Sequence, residues 1–393
     1  MLLPRKSGGR LGLDLGSSSI KMAALERQGD GIRARRLAMC PLTPEVIVDG
    51  AIVDAGALAA AIAQLPGLDG RSARSPLARL GLGTSRRVIA SVSGNAVIVR
   101  RVVMPAMNDE ELEAALEAEA AQHIPFALEE VNLDHQILDF HDNGQMEVLL
   151  VAVKKDKVAN LTHALSLAGL RPEIVDHDPL ALQNCYEYNY QPGEHVIAAL
   201  LHVGASVSHF SIVHGTSPRF MRDVGVGGNN YTDALQKEFH LGFEDAEKMK
   251  TAALFPPRAE KSVLAMAQAA GADAAPEPGL APSASAAHPE TRGDVHAVLA
   301  GVTGLIRLEL QKTVDFARAG GHFEPFEKLY LSGGGARIEG LRGMLEGEFN
   351  APVEWLDPFR RVTLPSDFSV SAEGEAGRWA IAVGLGLREF EEL

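Results

Sequence analysis

The chain has 393 residues, and 51 acidic against 37 basic side chains give it a formal charge of −14. That surplus argues against a nucleic-acid backbone as the main ligand, because phosphate binders carry a basic excess or a strong basic patch. Two isolated cysteines, Cys40 and Cys185, exclude a disulfide framework, and no run approaches the roughly 20 apolar residues of a bilayer span. The start, Met1 to Arg10, is charged and lacks an apolar core, so no signal peptide is expected.

In chain order, Leu11, Leu13 and Leu15 alternate, Gly16 and three serines interrupt, and apolar residues resume at Ile20. This predicts a hairpin: strand, small-residue turn, strand. A third strand follows at 31–39, where alternation puts Arg33 and Arg35 on one solvated edge. An Ala-rich helix is expected over 54–64 and a strand over 88–93. The β-branched run Val97–Met104 leads to Asn108, with Glu111 three residues on as capping-box partner of a helix that ends near His123. Strands at 131–140 and 147–153 flank an Asp-Asn-Gly turn, and a helix over 156–168 stops at Gly169. Strand–helix–strand–strand is a compact unit that can be inserted into a larger α/β domain.

Paired strands return from His195 to about Arg222. Gly227 and Gly228 open a helix, and another starts near Glu244. Between 256 and 293, prolines sit among Ala, Ser and Gly with few large apolar residues, the composition of a disordered surface loop. A long helix over 295–319, a strand at 329–331, a helix over 337–349 and a closing helix over 374–390 complete the chain.

Two segments echo each other at an offset of 188 residues: Leu13-Asp14-Leu15-Gly16-Ser17-Ser18 and Leu201-His202-Val203-Gly204-Ala205-Ser206. Each runs a strand into a glycine turn and back. Glycine lets the backbone approach a phosphate, and successive amides in a tight turn form an anion-binding concavity. An aspartate at the strand end can hold Mg²⁺ through water. A third motif, Leu329-Tyr-Leu-Ser-Gly-Gly-Gly-Ala-Arg337, runs a strand into three glycines, where a flat ring can lie against backbone.

Together these motifs resemble the actin/hexokinase/Hsp70 superfamily. Within it the chain is similar to the PilM family of the bacterial type IV pilus. The matching pieces are Gly12 to Lys21, Met104 to Leu112, Glu119 to Phe126, Phe220 to Val224, Ala246 to Lys250 and Ala382 to Arg388. The resemblance implies an α/β, actin-like (ribonuclease H-like) two-lobed fold with an inserted strand-helix-strand-strand 1C subdomain. The implied division is 1A over 1–96, 1C over 97–175, a return and crossover over 176–194, 2A over 195–226, 2B over 227–325 with its loop at 256–293, and the rest of 2A over 326–393.

It also implies an ATP–Mg site. Asp14 would face the metal, and Gly16, Ser17, Ser18, Ser19 and Lys21 the phosphates. Gly204, Ala205 and Ser206 would form the second phosphate loop, with Gly228 after it. Glu247 and Lys250 would reach the ribose and adenine edge, and Gly333, Gly334, Gly335 and Arg337 would shape the base pocket. The family's second hairpin usually carries an aspartate where this chain has His202. Neutral histidine is a poor Mg²⁺ ligand, so binding is expected with slow or absent hydrolysis.

The implied partner is the N-terminal tail of a PilN-like inner-membrane protein, docked in a cleft between 1A and 1C. It would link the chain indirectly to PilO, PilP, PilC and the pilus motor ATPases. No nucleic acid is expected. The location would be cytoplasmic and peripheral to the inner membrane through the partner, with a homo-oligomer left open. Three other readings stand beside this one: a small-molecule kinase with Asp176 or Asp178 as base, an FtsA-like division protein, and a type II secretion platform component.

Overall fold

The computed structural model describes residues 11–66, 68, 86–254, 289–321, 323–370 and 373–390. In chain order, β1 (Leu11–Leu15), β2 (Ser19–Gln28) and β3 (Gly31–Pro41) precede a short ribbon, β4 (Ile47–Val48) and β5 (Ala51–Ile52). The helix Ala55–Ile62 and β6 (Arg86–Val92) follow. The inserted unit is β7 (Val97–Pro105), the helix Asp109–His123, β8 (Val131–Phe140) and β9 (Gln145–Lys154), after which the helix Lys155–Leu167 leads into β10 (Leu170–His177). The second lobe holds β11 (Ile197–Val203), β12 (Ser208–His214), β13 (Ser217–Val224), β14 (Lys328–Ser332) and β15 (Val353–Trp355).

The first-lobe sheet has the order β10-β6-β1-β2-β3-β16, closed by β16 (Val362–Thr363), and the second-lobe sheet the order β13-β12-β11-β14-β15. In both, an antiparallel hairpin lies beside parallel strands: β1 pairs β2 and β6, and β11 pairs β12 and β14. The inserted β7-β9-β8 sheet has its own core, with Val102, Leu112, Leu116 and Val148. This is the two-lobed, actin-like architecture with its inserted unit.

Two helices hold the lobes together. Asp178–Tyr190 and Ala380–Leu387 lie between the sheets, where Leu182, Tyr186 and Val383 meet Ala23 and Leu25 from one lobe and Ala198 and Leu200 from the other. Each fully buried leucine contributes about 1.5–3 kcal/mol. The helices touch at Gly384, where a Cβ would overlap the Ala181 backbone. Strict smallness is therefore required at that crossing.

Local chemistry sets the ends. Asn108 accepts from the Glu111 amide while Glu111 accepts from the Asn108 amide, the expected capping box. Several expectations change. Arg33 is not on an open edge, because β16 pairs with β3 at Ile32 and Arg33. The expected helix over 337–349 is a 3₁₀ turn at Gly335–Arg337 and a helix at Leu341–Phe349. Gly340, at φ 81°, separates them. The closing helix is likewise split into Ala376–Trp379, Ala380–Leu387 and Arg388–Phe390. Residues 289–293, read as loop from composition, begin the helix Pro289–Ala319. The remainder of that loop lies outside the described residues. Among the described residues, no helix is long and apolar enough to cross a membrane.

Candidate functional site

The two echoing hairpins lie close enough for their charges to interact, Lys21 with His202 and Asp14 with His209. In the first, cross-strand pairing sets Asp14 opposite Lys21. Their side chains form an ion pair, Lys21 Nζ donating to Asp14 Oδ2 at 2.9 Å. Burial raises the Asp14 pKa against the pull of Lys21. In the second hairpin, the same register sets His202 opposite His209. The β12–β13 pairing continues the row to Asp223, so His202, His209 and Asp223 share one face of the sheet.

That row meets the first lobe at the start of the helix Asp178–Tyr190. His209 Nδ1 donates to Asp223 Oδ1 at 2.7 Å, and its Nε2 lies 3.5 Å from Asp178 Oδ2. Burial opposes the charge on His209, but the two carboxylates overcome it and push its pKa up to about 10. Burial would raise Asp178, yet His209, Ser91 and Ser93 hold it well below the usual carboxylate range. Asp223 is also held well below that range. Burial opposes this, while His209 and His177 favour its charged form. Asp223 further accepts from the Gly94 amide and has His177 Nε2 at 3.7 Å. The His209 imidazolium between Asp178 of the first lobe and Asp223 of the second thus forms an ionic bridge, which the Gly94 amide extends by a hydrogen bond to Asp223.

His202 differs from its neighbour. Burial first, then the charges of His209 and Lys21, push its pKa down to about 3. It is neutral near pH 7. Its Nδ1 lies 3.0 Å from the Ser332 hydroxyl, which is also 3.4 Å from the Leu201 carbonyl.

Ser332 leads into the glycine motif. Gly333 and Gly335 back onto Val203 and Gly204, and Gly228 abuts both Gly204 and Gly335. The Gly228 amide donates to the Gly204 carbonyl at 2.9 Å, and the Asn229 side-chain amide to the Ser206 hydroxyl at 3.2 Å. Lys250 Nζ donates to the Gly228 carbonyl at 3.2 Å and to Thr232 at 2.8 Å, and it pairs with Glu247. Gly204, Ala205, Ser206, Gly228, Glu247, Lys250, Gly333 and Gly335 are therefore contiguous. Arg337 stands apart. Its charged neighbours are Glu375 and Arg378, and burial leads in lowering its pKa. Gly334 faces Arg378.

Turn amides give a direct check on a phosphate-bearing ligand. The N–H groups of Ser17, Ser18, Ala205 and Ser206 donate to no backbone carbonyl in any turn contact of the described residues. They line the two turn tips, and Lys21 Nζ lies near Gly16 at the base of the first. This donor set fits phosphate oxygens. Among the described residues, no group of three or more His, Cys, Asp or Glu could hold a metal. A Mg²⁺ ion here would use Asp14 through water.

Two sequence candidates resolve as structural. Asp176 Oδ2 pairs with Arg388 Nε at 3.1 Å. Asp178 has its oxygens engaged by His209, Ser91 and Ser93, a poor state for taking a proton. His177, His209 and Asp223 were not singled out for a role by sequence reading, although the hairpin register contains the His202–His209–Asp223 row.

A cavity of about 180 Å³ opens beneath the β4–β5 ribbon. Ile47, Gly50 and Ile52 form one wall, and Lys154, at the end of β9, with Lys157 and Asn160 of the helix Lys155–Leu167 form another. Lys157 Nζ donates to the Gly50 carbonyl at 2.8 Å, and burial lowers its pKa. Asp178 and Ser91 close its inner end, so this cavity and the interlobe bridge share residues.

Comparison with known proteins gives the following. Residues 12–272 match the family model of type IV pilus assembly protein PilM. Residues 199–374 match that of cell division protein FtsA. Among solved structures, the chain is similar to the PilM–PilN type IV pilus biogenesis complex, at 26% identity over 96% of this chain and 98% of that one, with a TM-score of 0.74. It also matches ethanolamine utilization protein EutJ from Carboxydothermus hydrogenoformans at 12% identity, 98% and 92% coverage and TM-score 0.49. MreB5 of Spiroplasma citri bound to ADP matches at 11% identity, 97% and 95% coverage and TM-score 0.48.

Proposed function

We propose, from the premise that the chain belongs to the family of type IV pilus assembly protein PilM, that it is a pilus-assembly scaffold that binds ATP between its lobes and docks the N-terminal tail of a PilN-like membrane protein. The observation that carries the docking half is the near full-length likeness to the PilM–PilN complex. It is supported by the cavity between the β4–β5 ribbon and the helix Lys155–Leu167, at the root of the insert, which has a polar end at Lys154 and Lys157 and apolar walls at Ile47 and Ile52. An extended tail in such a groove gains affinity from backbone pairing and specificity from pockets. Membrane contact would then come through the partner.

The nucleotide half is supported by the Asp14–Lys21 pair, the Ser17–Ser18 and Ala205–Ser206 amides that meet no turn carbonyl, the Gly228–Gly335 junction, and the interaction of the Lys21 charge with His202. Lys21 and the turn amides would hold the phosphates, and Asp14 would orient Mg²⁺ through water. When bound, Mg²⁺ neutralises phosphate charge. Glu247 and Lys250 would meet the ribose and base edge. Neutral His202 brings no carboxylate to the second hairpin, so the reading is a nucleotide-dependent switch or clamp with little turnover.

Calorimetry with ATP–Mg and with a PilN-like tail peptide tests both halves. Lys157→Glu should weaken the peptide about tenfold and leave ATP affinity unchanged. Absence of peptide binding would remove the docking half, and absence of ATP binding the other.

A further inference from the structure

We propose that a groove between β7 of the insert and β13 of the second lobe docks an extended, acidic segment of a partner protein. The groove encloses about 110 Å³ and shares no lining residue with the cavity under the ribbon. β7 is the terminal strand of its three-stranded sheet, and β13 is the terminal strand of its five-stranded sheet. Two sheet edges therefore flank the groove, and edges offer N–H and C=O groups to an extended chain. Val99, Leu149, Phe220 and Phe316 supply apolar contact, and Phe316 is 52% exposed.

Charge selects the partner. Arg101 pairs with Glu147, and Arg219 lies 3.6 Å from Glu324 and 3.9 Å from Glu147. Arg100 and Arg222 have no carboxylate partner among the described residues. Arg100 donates to the Val99 carbonyl of its own strand at 3.0 Å, and Arg222 stacks over Phe316 at 4.8 Å. Four guanidiniums thus meet two carboxylates, in a chain whose net charge is −14. The Nε atoms of Arg101 and Arg219 are buried without a hydrogen-bond partner. Burial, and then Arg222, weakens the hold of Arg100 on its proton. Uncompensated like charge is unfavourable until an anion arrives. Guanidinium forks match carboxylates bidentately, and the strand edges favour those of a polypeptide.

The test is fluorescence anisotropy of a labelled decapeptide alternating Glu and Val, titrated with the full chain. The expected result is saturable binding that weakens with salt. It should fall at least about tenfold in Arg100→Glu/Arg222→Glu, with no binding of the Lys/Val counterpart. If charge reversal unfolds the chain by circular dichroism, Arg100→Gln/Arg222→Gln carries the same expectation. Equal binding by wild type and variant, or no binding at about 1 mM, overturns the proposal. So does full competition by equimolar inorganic pyrophosphate, which would mark a small-anion site. A wild-type dimer lost in the variant on ultracentrifugation would assign the groove to a second copy and overturn it too.

Discussion

In the first hairpin Asp14 and Lys21 face each other across the strands, and 188 residues later His202 and His209 do the same. The turns are matched in length, with Leu15 opposite Ile20 in one and Val203 opposite Ser208 in the other. The charges are not matched. The first pair neutralises itself through one 2.9 Å contact. The second splits into a neutral imidazole and an imidazolium, and the imidazolium looks away from its hairpin partner toward Asp223 and Asp178. One backbone device therefore serves two ends. The first hairpin keeps a carboxylate and an ammonium beside the turn that would meet phosphate. The second uses its matching positions to tie the lobes together, which leaves it without a carboxylate for Mg²⁺.

The largest effect should come from removing an anchor of the second hairpin. Asp223→Leu leaves the His209 imidazolium with Asp178 alone and orphans the Gly94 amide. Such breakage of a buried network costs about 3–5 kcal/mol. Urea unfolding should show the midpoint falling with the slope unchanged. A loss under about 1 kcal/mol would mean that the bridge does not hold the lobes.

The pH profile separates the two histidines. His209 is raised from the ordinary value of 6.5 to about 10, so its contribution is complete below 6.5 and is lost as pH rises toward 10. His202 is lowered to about 3, so its contribution is present above 6.5 and is lost as pH falls toward 3. Stability should therefore peak near neutrality. His209→Gln should flatten the alkaline limb, and His202→Gln the acid limb. If both substitutions changed the same limb, the assignment of charge to the two rings would be wrong.

The first hairpin should be more forgiving of folding damage. After Lys21→Met, Asp14 can take up a proton, since burial already raises its pKa. The stability loss should stay near 1–2 kcal/mol, while ATP affinity falls at least about tenfold through the lost charge-assisted contact. Calorimetry and urea unfolding on one preparation read both. A larger folding loss than that of Asp223→Leu would invert the comparison.

Much of this was legible from spacing. Leu11, Leu13 and Leu15 with Gly16 specified the first hairpin, and the echo at His202 located its twin, because strand alternation and turn residues act locally. Asn108 and Glu111 marked a helix start for the same reason. The interlobe bridge was not legible. It joins His177 and Asp178 to His209 and Asp223 through the docking of two sheets, and no local rule encodes such a contact. Half of it could have been found, since writing the hairpin register sets His202 against His209 and then Asp223. The helix break at Gly340 was missed because glycine inside an apolar pattern is read as tolerated until its φ of 81° is seen. The arginine groove was invisible in a chain with a net charge of −14, because its arginines come from two strands, β7 and β13, far apart in the sequence.

The most direct test of the two-hairpin account is phosphate release from ATP–Mg by wild type and His202→Asp, with ATP affinity measured alongside. The account predicts tight binding by both proteins and negligible release by the wild type. Release should rise about tenfold or more when the second hairpin is given a carboxylate. Wild-type turnover near the typical enzyme range of about 1–10³ s⁻¹, lost in His202→Ala, would contradict it.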